Sequence, residues 1–200
     1  RAYYLMANQS FGPKFKALYG LRVEQFDLTV DNQKTLQAIS SIDETAILPS
    51  ANLTFTLSQK TNLRFGYFSS VNRPEFRELA PFSFFVFDKN AEIRGESNLE
   101  IAHLNNMDVR YEFYPDGGQL ISVGAFFKHI ADPIELSLDV TQPFTTFTYQ
   151  NEKSANIFGL EFELKKWGEE IRLSLSSISR SLLGPMDQWN PSSRIRQGLK

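Results

Sequence analysis

The chain has 200 residues, a formal net charge of -2 and no cysteine. The absence of cysteine excludes disulfides and thiolate metal sites, and the lack of a basic excess excludes the usual nucleic-acid partner, because no surplus cations neutralise phosphates. Eighteen phenylalanines and seven tyrosines indicate a strand-rich protein, since aromatic residues favour β-strands and gather at the rims of membrane barrels.

Alternation of apolar and polar residues predicts eight antiparallel strands arranged as four hairpins. In chain order the predicted strands are 2–8, 15–30, 47–57, 63–67, 106–113, 120–130, 156–164 and 171–175. The turn of each hairpin is short. The turn at 115–118, for example, has the sequence Pro-Asp-Gly-Gly, whose residues tolerate positive φ.

Long connections alternate with these short turns, at 31–46, 72–105 and 131–155. A compact soluble domain seldom contains three such connections, whereas a membrane barrel has short periplasmic turns and long outer loops. We therefore expect an all-β fold, an antiparallel up-and-down meander that forms part of a transmembrane β-barrel. Tyr114 and Trp167, beside short turns, are expected in the lower aromatic girdle.

The charged residues of the strands fall on one face, which in a barrel would face the lumen while the apolar face meets lipid. The predicted lumen-facing residues are Arg64, Asp108, Arg110, Glu112, Glu161, Glu163 and Arg172. The same alternation would suit a secreted β-sandwich that binds carbohydrate, in which the apolar face forms the core. The asymmetry of the turns favours the barrel.

The sequence offers no catalytic residue, metal site or cofactor motif. His103 and His129 lie in separate segments without the spacing of metal ligands, and no nucleophile elbow or phosphate loop is present. Glu161 and Glu163 share a strand face as glycosidase carboxylates could, but the preferred interpretation is lumen-facing charges balanced by Arg110, Lys128 and Arg172. We expect a protein that is not an enzyme.

The connection 72–105 carries the candidate ligand-binding residues. Charged residues precede an aromatic run at 82–87 that breaks the alternation and would not be exposed without a covering partner. The candidates are Arg73, Glu75, Arg77, Phe84 and Phe85. Arginine would suit an anionic siderophore and aromatic faces a sugar ring, and the alternative is that these side chains pack the loop internally.

Residues 68–82 resemble the S-R-P-x-F-R-E-L-x-P-F segment in barrels of TonB-dependent outer-membrane receptors, especially those of Bacteroidetes-type bacteria, with Asn72 in place of the usual serine. Further segments resemble successive strands and loops of the same receptors in the same order. They are 95–99, 105–114, 120–128, 132–135 and 151–163. The resemblance covers residues 47–175.

The resemblance implies a 22-stranded barrel in the bacterial outer membrane, closed by an N-terminal plug domain and used for TonB-driven uptake of a scarce nutrient of the siderophore, cobalamin or glycan class. Residues 1–200 are then expected to be a partial barrel domain of about eight strands, an internal fragment in which no plug domain or TonB box is present. The implied partners are outer-membrane lipid, a small nutrient ligand and, through the plug, TonB. Because the loop motif recurs in receptors for different substrates, the resemblance favours a structural role for it. Residues 181–200 depart from the pattern.

Overall fold

The computed structural model describes residues 1–31, 38–87, 90–115, 118–139, 145–166 and 169–181. The elements of these residues are β1 (Ala2–Phe11), β2 (Phe15–Asp31), β3 (Ala38–Ser58), β4 (Thr61–Asn72), α1 (Phe76–Leu79), β5 (Ser83–Val86), β6 (Ala91–Arg94), β7 (Ala102–Phe113), β8 (Leu120–Ala131), β9 (Ile134–Asp139), β10 (Thr146–Asn151), β11 (Ser154–Lys166) and β12 (Glu169–Ser181). The long strands form an eight-stranded sheet in the order β1-β2-β3-β4-β7-β8-β11-β12. Every neighbouring pair is antiparallel, so the predicted meander is confirmed.

One face of the large sheet is apolar and open. Side chains such as Leu21, Val109, Val123 and Leu160 alternate with polar neighbours, and the Leu160 side chain is 59% exposed. No second layer covers this face along the described strands, which excludes the sandwich alternative. An exposed apolar face of this extent fits contact with lipid and not with water.

The end of the apolar face nearest the short turns, which we call the lower end, carries an aromatic row. The rings of Phe11 and Phe15 stack with centroids 5.4 Å apart, and those of Phe15 and Phe55 stack at 4.6 Å. Tyr114 does not join this row, because its hydroxyl is hydrogen-bonded to Glu112 on the opposite face. The prediction that Tyr114 lies in the girdle is therefore wrong, and Trp167 lies outside the described residues.

The hairpin of β2 and β3 continues beyond the apolar band. From Phe15 to Val23 every odd-numbered residue of β2 is apolar and lies on the outward face, over a length close to the roughly 9–11 residues of a transmembrane β-strand. Beyond Val23 the polarity inverts, so that Asp27 and Thr29 are exposed on the outward face while Val30 is buried on the other. We place the membrane boundary of this hairpin at that inversion.

The predicted loop 31–46 is consequently wrong in extent, because β3 begins at Ala38 and pairs with β2 from there. The sequence around Ser41, Ile42 and Asp43 still alternates, but with the apolar residues on the face that is polar lower down. The alternation keeps its period of two while the apolar residues change to the other face of β3. The sequence pattern alone therefore does not show that the strand extends this far.

The predicted long connections 72–105 and 131–155 also contain regular structure. Within the described residues, β5, β6, β10 and β9 form a four-stranded sheet in that order. The pair β6 and β10 is parallel, the one departure from antiparallel pairing among the described strands. We call the described parts of residues 73–101 and 132–153, with this sheet and α1, the cap.

The cap packs on the upper hairpin through a small hydrophobic core. Leu79 of α1 is fully buried and contacts Val30 of β2 and Leu99, which are each 4% exposed. Leu28, Ile42, Ile134 and Tyr149 surround them. Val30 and Leu28 lie on the same side of β2 as the charged residues lower down, so the cap covers the continuation of the polar face.

No helix among the described residues is long and apolar enough to cross a membrane.

Candidate functional site

The polar face of the large sheet holds a connected row of charged side chains. Arg64 Nε on β4 donates a hydrogen bond of 2.9 Å to Glu112 Oε2 on β7, and the Tyr114 hydroxyl donates to the same oxygen at 2.9 Å. Arg110 Nε lies 3.8 Å from Glu112 Oε1. Arg110 also donates to Ser122 Oγ on β8, at 3.0 Å from Nη2 and 3.2 Å from Nε.

The row continues to β11. Arg110 Nη2 donates a hydrogen bond to Glu163, whose side chain is 10% exposed. The β11–β12 register places Arg172 opposite Glu163, although the side chain of Arg172 is outside the described part of the structure. Each of the two buried carboxylates, Glu112 and Glu163, is hydrogen-bonded to a cationic side chain, and such pairing offsets the cost of burying charged groups.

The structure therefore brings together Arg64, Arg110, Glu112 and Glu163 of the predicted lumen-facing set. Asp108 and Glu161 share the face but are exposed and outside the row. Ser122, only 2% exposed, is a member that sequence reasoning missed. The sequence gives little indication of Ser122, because serine is common on the polar face of a strand. Only the strand register shows that it lies beside Arg110.

The candidate ligand residues occupy the cap, and Arg73 is held within it. Its guanidinium donates a hydrogen bond to Glu24 of β2 and lies 4.8 Å from the centroid of the Phe26 ring. Glu24 follows Val23 and so lies above the apolar band. The hydrogen bond from Arg73 lowers the pKa of the Glu24 carboxyl, and a bond from Arg22 acts in the same direction, while burial opposes both.

Glu75 and Arg77 also have internal contacts. The Glu75 backbone N–H donates to Glu78 Oε2 at 2.8 Å, a contact that closes the first turn of α1. The guanidinium of Arg77 lies 5.0 Å from the centroid of the Phe84 ring, within the range of a cation–π contact. Arg77 thus contacts a neighbour through its charged group, whereas the contact of Glu75 is made by its backbone.

Exposed aromatic side chains distinguish the cap surface. Phe85 is 47% exposed and meets Phe87 edge to face at 5.0 Å between centroids, and Phe87 itself is 87% exposed. Phe76 and Phe82 add further exposed rings. Sequence reasoning singled out Phe84 with Phe85, but Phe84 is half-buried beneath Arg77 and Phe85 projects from β5.

Tyr149 lies at the centre of the cap. Its ring packs against the core of Val30, Leu79 and Leu99. Burial raises the pKa of the Tyr149 hydroxyl, and the negative charge of Glu78 raises it further. The hydroxyl is therefore a neutral group across the physiological range.

A polar cavity of about 600 Å³ lies between the upper part of β3 and the start of β7. Glu44 lines it, and its Oε1 lies 3.0 Å from His103 Nε2. Glu100 and Asp132 contribute further carboxylates. Across the described residues, no group of three or more acidic, histidine or cysteine side chains is placed to hold a metal ion.

An open antiparallel sheet with one exposed apolar face, a row of charged side chains on the other face and a cap on its long connections has the architecture of a segment of an outer-membrane β-barrel wall. Residues 1–168 match the model of the outer membrane protein beta-barrel family, and the chain belongs to that family. It is thus an outer-membrane protein, as predicted.

Solved receptor structures share this fold. The siderophore receptor PirA from Pseudomonas aeruginosa is 19% identical with a TM-score of 0.68, over 91% of this chain and 34% of that one. The hemophore receptor HasR of Serratia marcescens, solved with the hemophore HasA and heme, is 14% identical with a TM-score of 0.67, over 89% and 33%. The ferric enterobactin receptor PfeA of Pseudomonas aeruginosa, solved with enterobactin, is 17% identical with a TM-score of 0.62, over 90% and 27%.

These matches confirm, for the fold, the resemblance to outer-membrane receptors found in the sequence. The chain spans between about a quarter and a third of the length of these receptors. No curated protein sequence matches it.

Proposed function

We propose that this chain forms part of the wall and outer mouth of a TonB-dependent receptor that takes up a scarce nutrient. The observation that carries the proposal is the cap of two long connections above a lipid-facing barrel wall, with exposed aromatic rings at its surface. An apolar surface outside the membrane is costly unless a ligand or another part of the receptor covers it. The receptor acts by binding and transport, and it is not an enzyme.

Within the cap, Phe85 is the proposed ligand contact, and Phe82 and Phe87 extend its surface. Arg73, Glu75 and Arg77 hold the cap together, and Phe84 supports Arg77. The contacts of the Arg73 and Arg77 guanidiniums support this division, because a guanidinium already bound to Glu24 would have to break that bond to reach a ligand.

The charged row is proposed to face the barrel interior. The cap covers the continuation of the same face, which is the arrangement expected if outer loops fold over the lumen. A wetted, charged wall would then surround the plug domain through which TonB acts. Outer-membrane lipid would contact the opposite face.

The ligand is proposed to be a small nutrient. The solved receptors that share the fold are described as receptors for a siderophore, ferric enterobactin and a hemophore, so iron complexes are the first class to test, followed by cobalamin and glycans.

The experiment is growth and uptake with the full-length gene. A deletion strain should lose growth on one nutrient class under limitation, and the full-length gene should restore it with a heat-modifiable product in the outer membrane. A heat-modifiable outer-membrane product without any uptake phenotype across iron, cobalamin and glycan limitation would contradict nutrient transport while leaving the barrel intact.

A further inference from the structure

The two long connections of the cap are joined by a parallel strand pair. β6 belongs to the first connection and β10 to the second, and their register pairs Glu92 with Thr146 and Arg94 with Thr148. The Glu92 backbone N–H also donates to the Thr145 carbonyl at 3.0 Å. These backbone hydrogen bonds break if either connection moves alone.

Asn151 joins the same connections at their base. Its Oδ1 accepts a hydrogen bond of 2.8 Å from the Glu100 N–H, and its Nδ2 donates to the Glu100 carbonyl at 3.1 Å. The same Nδ2 donates to the Asp132 carbonyl at 2.7 Å. One amide thus satisfies backbone groups at the end of the first connection and the start of the second.

The aromatic surface is tied to this link through close backbone packing. Gly95, just after β6, lies so near the carbonyls of Ala80 and Arg77 that any Cβ there would collide with them. The Glu96 N–H donates to the Glu78 carbonyl at 2.6 Å. Helix α1 and its neighbours therefore follow any displacement of β6.

We propose that the two connections form one mechanically coupled unit, in which Asn151 is a positioning residue that holds them in register. A displacement of β9 or β10 is then passed to β6, α1 and the aromatic surface of β5. The coupling is a property of the cap and goes beyond the proposed transport function, because it requires no particular ligand. Two backbone segments with a shared hydrogen-bonded pair and a shared core have one opening equilibrium instead of two.

The test is hydrogen exchange in the full-length protein in detergent, comparing wild type with Asn151→Ala. Amides of residues 91–94 and 146–151 should exchange at least about tenfold faster, and by the same factor, because the lost bonds served both connections. Asn156→Ala is the matched control, since Asn156 Oδ1 lies 2.8 Å from His129 Nδ1 in the large sheet, outside the cap. It should change neither segment.

A rise confined to residues 132–153, or no rise in either segment, overturns the proposal. Asn151→Gln keeps the amide on a side chain one methylene longer, so it should give a smaller rise in both segments and serves if the alanine variant does not assemble.

A cross-link provides a second readout. Arg94→Cys with Thr148→Cys, in a full-length background without other cysteines, introduces a pair at neighbouring positions of β6 and β10. Oxidation in the Asn151→Ala background should return both segments to wild-type exchange, and reduction should reverse this. Recovery of only one segment would show that the connections open independently.

Discussion

Arg110 on β7 reaches across the whole of β8 to bind Glu163 on β11. The residue opposite Arg110 on β8 is Gly124, and a Cβ at Gly124 would lie 3.9 Å from Arg110 Cγ. The arginine side chain passes over β8 and also donates to Ser122. A charge pair two strands apart thus spans a glycine, at which even a methyl group would keep ordinary contact distances.

Replacing Arg110 with alanine should destabilise the barrel. Glu163 and Glu112 are 8% and 6% exposed, and both would lose a cationic partner. We expect a loss of about 1–3 kcal/mol in the free energy of unfolding, measured by urea titration of the full-length protein in lipid vesicles. Glu161→Gln alters an exposed carboxylate on β11, the strand that carries Glu163. It should change the free energy of unfolding by less than about 0.5 kcal/mol. Equal effects of the two variants would contradict the row as a stabilising unit.

Adjacent residues of β11 should respond oppositely to a positive charge. Leu160→Arg places the charge on the proposed lipid face and should cost about 2–4 kcal/mol in folding free energy, visible as reduced outer-membrane assembly. Glu161→Arg places it on the polar face and should assemble normally. Val109→Arg on β7 repeats the first case. Normal assembly of both lipid-face variants would refute the assignment of faces.

The large sheet was predictable because its strands obey a single rule over many residues. In residues 107–113 of β7 apolar residues such as Val109 alternate with polar ones, and in residues 121–127 of β8 the residues on the side of Val123 are all apolar, so existence, face and hairpin partner follow from period two. The upper part of β3 was not predictable, because around Ile42 the apolar residues change to the other face of the strand.

The site was predictable only in part, for a related reason. Period two places Arg64, Arg110 and Glu163 on one face, but which of them touch depends on register across strands that are distant in sequence. The parallel pairing of β6 and β10 likewise joins short segments more than 50 residues apart in the chain, with no local signal. The contact of Arg73 with Glu24 could not be predicted for the same reason, because the two residues are 49 positions apart in the chain.

Gly159 should not tolerate a side chain, whereas Gly124 should. A Cβ at Gly159 would lie 2.5 Å from the Leu175 carbonyl oxygen and 2.6 Å from the Phe126 ring, while the nearest atom to a Cβ at Gly124 is 3.5 Å away. Gly159→Ala should lower the free energy of unfolding by about 1–3 kcal/mol, and Gly124→Ala should be nearly neutral. Unfolding in urea measures both. If Gly159→Ala left the free energy of unfolding unchanged, the neighbouring strands would have to accommodate the added methyl group without cost.

The membrane boundary at the β2 inversion can be located with single cysteines. Leu21→Cys and Asp27→Cys lie on the same face of β2, below and above the inversion, and both side chains are exposed. A fluorophore at position 21 should be quenched by lipids with nitroxide-labelled acyl chains, and one at position 27 should be quenched instead by iodide in water. Strong acyl-chain quenching at position 27 would move the boundary upward.

Phe85 and Arg73 should separate ligand contact from cap structure. Phe85→Ala removes an exposed ring and should weaken ligand binding about tenfold while outer-membrane abundance stays unchanged, because the ring supports little else in the cap. Arg73→Ala leaves Glu24 without its bond from Arg73 and removes the contact over Phe26, so proteolysis of the cap should increase together with the loss of binding. Binding of radiolabelled ligand and limited proteolysis on whole cells measure the two effects. If Arg73→Ala weakened binding with a protease-resistant cap, the arginine would have to be reassigned as a ligand contact.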